Sequence, residues 1–220
     1  MAAIVDYVNK IRKDHILTIE DPIEFVHEPQ NCLVNQREVG RDTMSFSAAL
    51  RGALREDPDI ILVGEMRDLE TIQLALEAAE TGHLVFATLH TISASKTIDR
   101  IIEVFPGDLQ GQIRSGLADS LRAIIAQNLF KRIDKPGRVA GIEVLIATPA
   151  VRNLIRENKI FQINSVIETG RKFGMQSIDD AIMKLLTAGI IDAEQAYNKA
   201  ATKSKFREFL TNPPQDFTEV

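Results

Sequence analysis

A single cysteine, Cys32, leaves no partner for an internal disulfide and too few thiolates for a zinc cluster, a usage that fits a reducing cytoplasm. Basic charge is not in excess either. The 26 Lys and Arg against 31 Asp and Glu give a formal net charge of -5. That balance provides no general attraction to nucleic acid or anionic lipid, although it leaves local basic patches open. No apolar run approaches the ~18 residues of a membrane span. The N-terminus has no basic region followed by an apolar core, so neither a span nor a signal peptide is expected. His15, His27 and His83 show no i, i+4 spacing of a helical metal pair. A G-x-S-x-G elbow is missing, and Cys32 has no base close in sequence, so covalent catalysis has little support. Neither G-x-x-x-x-G-K-[ST] nor G-x-G-x-x-G occurs, so the backbone nest that cradles a triphosphate is not encoded in these 220 residues. No internal repeat or low-complexity tract appears.

What remains is an ordinary globular composition, 45% hydrophobic and 26% charged. The chain is long enough for one domain or one and a half. Its central feature is the run from Asp57 to Asp68. Ile60-Ile61-Leu62-Val63 has no polar residue to mark a wet face, so it reads as a strand buried on both sides of a parallel sheet. Short apolar strands at 16–19 and 84–89 alternate with helices over 46–54, 69–79 and 93–104, and 33–39 reads as an edge strand before Gly40. A helix face also spans residues 1–13. The pattern predicts an α/β fold, a mostly parallel sheet covered by helices. A long helix is expected from Leu109 to about Asn128, then a hairpin of strands 129–133 and 139–146 around Asp134-Lys135-Pro136-Gly137.

Beyond Thr148 the pattern becomes all helical, with helices over about 149–157, 160–168, 178–188, 193–201 and 203–210. Pro149 sits at a first helical position, and Ser177 and Asp192 are candidate caps. A boundary is placed near 147, giving units 1–147 and 148–211, with 212–220 as a frayed tail.

Acidic and imidazole side chains fall at the exits of three strands: Glu20-Asp21, Glu65 and His90. Open α/β sheets bind ligands at the carboxyl ends of their strands. Strand ends also favour polar residues simply because they reach water. If the three strands are neighbours, the coincidence favours a site. One carboxylate there could polarise a water, another could hold hydrated Mg²⁺, and His90 could hydrogen-bond a terminal phosphate. Arg51, Arg55 and Arg67 flank the central strand and suit charge neutralisation in phosphoryl transfer. For each, a solvated pair such as Arg55–Asp59 or Arg67–Glu70 is the competing reading.

Four segments carry a family resemblance. Thr18-Ile19-Glu20-Asp21-Pro22-Ile23-Glu24-Phe25 resembles the aspartate box of the secretion-superfamily hexameric ATPases. Asp57–Asp68 resembles their Walker B region, with Gly64-Glu65 in the place of its acidic pair. Gly82 to Thr91 resembles their histidine box. Ala150-Val151-Arg152-Asn153-Leu154-Ile155-Arg156-Glu157 is similar to the C-terminal motif of the branch that retracts type IV pili. Extension and secretion members commonly carry a four-cysteine zinc motif, and its absence here also points to the retraction branch.

The resemblance implies a RecA-like P-loop NTPase core and a hexameric ring using ATP and Mg²⁺. Such a ring works at the cytoplasmic face of the inner membrane on a pilus platform protein, without entering the membrane or binding nucleic acid. It implies that Glu65 activates the attacking water, with Glu20 and Asp21 serving Mg²⁺ and water. His90, together with His83, reads the γ-phosphate state. Arg51, Arg55 and Arg67 match basic positions near nucleotide or subunit interfaces. Residues 150–157 are expected to serve retraction rather than hydrolysis. In the family a PAS-like domain and the Walker A loop precede a helix resembling Met1–Asn9, so the sequence is expected to be a fragment that hydrolyses little ATP alone. A phosphate-loop-less interaction module of the pilus machine, or a related accessory or secretion ATPase, is the alternative.

Overall fold

A computed structural model describes residues 1–214; of the expected tail, residues 215–220 lie outside the described residues. The chain forms two compact units. The first comprises Met1–His90 and Arg100–Leu121, and the second Thr91–Asp99 and the chain from Arg122 onward.

In the first unit, β1 (His15–Glu20), β2 (Leu33–Glu38), β3 (Ile60–Val63) and β4 (Leu84–Ala87) form one parallel sheet in the order β2-β1-β3-β4. Successive side chains of a strand point to opposite faces, and the apolar runs supply both. Leu17, Ile19, Ile61 and Val63 join Leu50 and Ala53 of α2 (Phe46–Ala53) and Ala75 and Ala78 of α3 (Leu69–Glu80) in one core layer. Ile16, Ile60 and Leu62 pack on the other face with Val5 and Val8 of α1 (Ala2–Ile11), and with Cys32. Burying each such aliphatic stabilises the fold by roughly 1.5–3 kcal/mol, which is why β3 needs no polar face.

Local signals fix the helix ends. Ser45 caps α2 by accepting the Ala48 N–H at 3.1 Å, and Asp68 caps α3 by accepting the Thr71 N–H at 2.9 Å. Gly82, with φ +112°, follows the C-cap residue Thr81 of α3, as expected for a glycine past a helix end. β2 is an edge strand, and its Leu33 is exposed. α4 (Ala94–Glu103) begins in the second unit and ends in the first, and α5 (Gln110–Ser120) belongs to the first.

The second unit carries the antiparallel hairpin β5 (Ala123–Lys131) and β6 (Arg138–Ile146). There follow α6 (Pro149–Arg156), α7 (Ile163–Thr169), α8 (Ile178–Thr187) and α9 (Ala193–Lys199), with short 3-10 segments at Ile160–Gln162 and Lys203–Phe209. Three expectations need correction. The helix predicted to Asn128 ends at Ser120, because Leu121 turns extended and β5 begins at Ala123. Ile124, Ala126 and Phe130 point inward at strand spacing, while Ile125 and Leu129 stay exposed and blur the period in the sequence. The compact units also part between Leu121 and Arg122 rather than near 147. The cause is Phe130 of β5, which packs with Ile178, Ile182, Ile191, Ala196 and Phe206 and so joins the hairpin to the helices that follow. The predicted helix over 203–210 is a 3-10 segment.

Gly141 permits that packing, since a Cβ there would come within 2.7 Å of the Phe130 ring. Phe130 itself is fully buried. Phe130→Ala is expected to destabilise the second unit by about 3–5 kcal/mol, measured by urea unfolding.

Candidate active site

The sheet order makes β1, β3 and β4 consecutive neighbours, all parallel, so their exits share one edge. Glu20 ends β1, Glu65 follows Gly64 just past β3, and His90 follows β4 across Thr88-Leu89. The exits are stitched together by backbone. Gly64 N–H donates to the Ile19 carbonyl at 2.7 Å, and Met66 N–H to the Thr88 carbonyl at 3.0 Å. Thr88 Oγ1 also donates to the Gly64 carbonyl. A side chain at position 64 would meet the Ile19 carbonyl at 3.0 Å and Glu20 Cα at 3.1 Å. Both contacts are tighter than a Cβ usually makes, so any side chain there would push on the β1 backbone.

Glu65 is the centre of the arrangement. Its side chain is 17% exposed; Oε2 lies 2.6 Å from an Arg67 guanidinium nitrogen and Oε1 3.0 Å from His90 Nε2. The hydrogen bond from Arg67 holds the carboxyl below the usual carboxylate range. Partial burial opposes this, and the charges of Arg67 and His90 reinforce it. Arg67 is correspondingly raised, first by Glu65 and to a lesser degree by Asp21.

Glu20 is held differently. Its Oε1 accepts from Thr18 Oγ1 at 2.7 Å and from Gln36 Nε2 at 3.1 Å. Asp21 follows in the open, before a cis bond to Pro22. Glu20, Asp21, Glu65, Arg67 and His90 thus lie along one edge of the sheet, with Arg67 and His90 in contact with Glu65. Among the described residues no three His, Cys, Asp or Glu side chains converge as a metal-holding group. The open carboxylates still suit Mg²⁺, which keeps its waters and is usually bound through one or two carboxylates plus phosphate oxygens.

Other candidates fall elsewhere. His83 precedes β4, so it stands at the sheet edge opposite Glu65. There its Nδ1 lies 2.9 Å from the Ala78 carbonyl at the end of α3. A carbonyl can only accept, so that nitrogen carries the proton. Arg51 pairs with Glu70 in the first turn of α3, and Arg55 is exposed with no ion pair among the described residues. Neither of the competing pairs, Arg55–Asp59 or Arg67–Glu70, is seen. Glu70 is taken by Arg51, and Asp59 accepts the His15 amide at 2.8 Å. Residues 150–157 lie on α6 and just past it, in the second unit. Val151 and Ile155 are fully buried there, and Ala150, Asn153, Arg156 and Glu157 are exposed. The supporting roles of Thr18, Gln36 and Thr88 were not read from sequence. Thr88 had a signal, being the one hydroxyl in an otherwise apolar run.

Two outcomes test this geometry. Arg67→Ala is expected to return the Glu65 pKa upward toward its ordinary value, read from carboxyl carbon shifts on acid titration. Since the native pKa is depressed, the stability that Glu65 contributes is present above its ordinary pKa and lost as pH falls through the folded value. The variant should lose that acid-dependent part. Gly64→Ala is expected to force β1 and β3 apart and cost about 1–3 kcal/mol, measured by thermal unfolding.

Comparison with known proteins places the chain in a family. Residues 1–172 match the family model of the type II/IV secretion system proteins. The chain is similar to a type IV pilus retraction ATPase, PilT, of Pseudomonas aeruginosa. The two are 60% identical over 206 residues, covering 94% of this chain and 60% of that protein. It is also 60% identical over 200 residues to a twitching motility protein of Neisseria gonorrhoeae, covering 91% of this chain and 54% of that one. Among solved structures it resembles the pilus retraction motor PilT with bound ADP, at a TM-score of 0.86 and 49% identity. That match covers 93% of this chain and 57% of the other. The chain therefore spans between about half and three fifths of the length of these relatives. The mostly parallel, helix-covered sheet is the α/β core expected of secretion ATPases. The match over residues 1–172 shows that the chain belongs to the type II/IV secretion system protein family.

Proposed function

We propose that this chain is part of an ATP-hydrolysing motor that retracts type IV pili and so produces twitching motility. The observation that carries the reading is the Glu65–His90 contact beside the Glu20-Asp21 pair at adjacent parallel strand exits. Phosphoryl transfer to water needs a positioned water, charge neutralisation and little covalent chemistry from the protein. Glu65 is the group to orient and polarise the water. In the described state both its oxygens are engaged, by Arg67 and His90. Nucleotide entry then has to redirect at least one of these partners, which makes His90 a natural reporter of the terminal phosphate. His83, at the opposite edge, acts on β4 through its bond to α3 rather than on phosphate.

Glu20 and Asp21 are the residues to hold hydrated Mg²⁺ beside ATP. The ion supplies neutralisation of charge on the transferring phosphoryl group. Glu20 is oriented for this by Thr18 and Gln36. Arg67 tunes Glu65, whereas Arg51 and Arg55 offer exposed charge to nucleotide or to a neighbouring subunit. The protein works as a homohexamer on the inner-membrane pilus platform, cytoplasmic and peripheral. Among the described residues no helix is long and apolar enough to cross a membrane. The exposed face of α6, with Asn153, Arg156 and Glu157, couples hydrolysis to pilin removal.

The 220-residue sequence contains no G-x-x-x-x-G-K-[ST] loop. The chain by itself is therefore expected to show no appreciable Mg²⁺-dependent ATP turnover; robust turnover would overturn that part of the reading. In the complete protein, Asn153→Ala should abolish twitching while leaving ATP hydrolysis within about two-fold, since the residue touches no reacting group. Retained twitching, or loss of both activities together, counts against the assignment.

A further inference from the structure

The connection from β1 to β2 departs from the usual pattern. Parallel neighbours are mostly joined through a helix, yet residues 21–32, which join these two, contain neither helix nor strand. Side chains hold them instead. Ile23 N–H donates to Glu38 Oε2 at 3.0 Å, and His27 N–H donates to Gln36 Oε1 at 2.7 Å. At the far end, the buried Asn9 of α1 donates from Nδ2 to the Glu28 carbonyl at 2.8 Å and accepts the Gln30 N–H at 3.0 Å. Between these anchors Phe25 and Val26 stand exposed.

Gln36 of β2 joins this segment to the candidate site. Besides accepting from His27, it donates from Nε2 to the Phe25 carbonyl at 2.8 Å and to Glu20 Oε1 at 3.1 Å. A carboxamide has two N–H donors, and both are used here. Turning the amide over is unfavourable. Reversed, its NH2 group would face the His27 N–H, and its carbonyl would face the Phe25 carbonyl and the Glu20 carboxylate. All three hydrogen bonds would be lost and like poles brought together. The backbone of Phe25 and His27 therefore decides that a donor, rather than an acceptor, faces Glu20. Every group in this series of bonds lies in the first unit.

We infer that Gln36 is a positioning residue that couples the exposed segment 25–27 to Glu20. Displacing the segment releases the amide, and with it the donor that holds Glu20 Oε1 beside the Thr18 hydroxyl. The inference deepens the hydrolytic reading and rests on it for the link to Mg²⁺. The coupling itself needs no nucleotide.

Nuclear magnetic resonance of the 220-residue chain tests the coupling from both ends. Glu20→Ala is expected to move the His27 backbone amide signal, because Gln36 loses one of its partners. His27→Pro, which removes the N–H that Gln36 accepts, should move the Glu20 carboxyl carbon signal. In Gln36→Leu each response should be about five-fold smaller. If Gln36→Leu fails to fold, seen as collapse of the dispersed amide signals, Gln36→Met keeps the length of the side chain and should show the same loss. The inference is overturned by undiminished responses in folded Gln36→Leu or Gln36→Met, or by no response in the otherwise native chain. In the complete protein, Gln36→Leu and Glu20→Ala should both raise the Mg²⁺ concentration needed for half-maximal hydrolysis, Gln36→Leu by about five-fold. A raised requirement in Glu20→Ala beside an unchanged one in Gln36→Leu also overturns the inference. If neither variant changes the requirement, the hydrolytic reading of Glu20 fails instead, and the magnetic resonance result alone decides the coupling.

Discussion

The hydrogen bond from Gly64 N–H to the Ile19 carbonyl joins the exits of β1 and β3, at a separation that no side chain at position 64 tolerates without movement. Much of the site follows from that close approach. It sets Glu20 beside the turn that carries Glu65. The Met66–Thr88 bond and the Thr88 hydroxyl then draw the exit of β4 to the same place. The sheet behind these exits is rigid for an ordinary reason. Its central strands, β1 and β3, bury aliphatic side chains on both faces, against α2 and α3 on one side and α1 on the other. Glu20 ends β1, and Glu65 stands only two residues past β3, close behind the sheet.

The electrostatics of the edge are those of a restrained acid rather than a free one. Glu65 is ionised readily because Arg67 and His90 both reach it, which keeps it a charged acceptor. A carboxylate in that state can bind a water proton, but it must first be released from one partner. Glu143 of β6 presents the opposite case, a buried acid whose burial outweighs the Ala94 amide that bonds it. The two carboxylates illustrate how environment separates a group suited to chemistry from one suited to holding backbone in place.

Much of this was legible in the sequence. β3 could be read from four aliphatics in a row because double-sided burial removes any polar alternation. The convergence of Glu20, Glu65 and His90 followed from strand ends, on the single assumption that the strands are neighbours. What stayed hidden was non-local or locally ambiguous. Ile125 and Leu129 are large and exposed, so β5 carried a misleading helical signal. His83 and His90 flank one four-residue strand, and nothing local shows that they stand at opposite edges. The partner of Glu143 is equally unreadable, because an acid inside an apolar strand says that it needs a donor but not which one. The division of the chain at Leu121 depends on Phe130 packing against helices far along the sequence.

The central claim is that Glu65 directs the attack of water while others hold the nucleotide. Single-turnover cleavage of ATP by the complete protein carrying Glu65→Gln tests it most directly, with nucleotide binding measured in parallel. Cleavage is expected to fall by about 10²–10⁴-fold, with Mg²⁺-dependent nucleotide binding retained. Cleavage at the native rate would contradict the account.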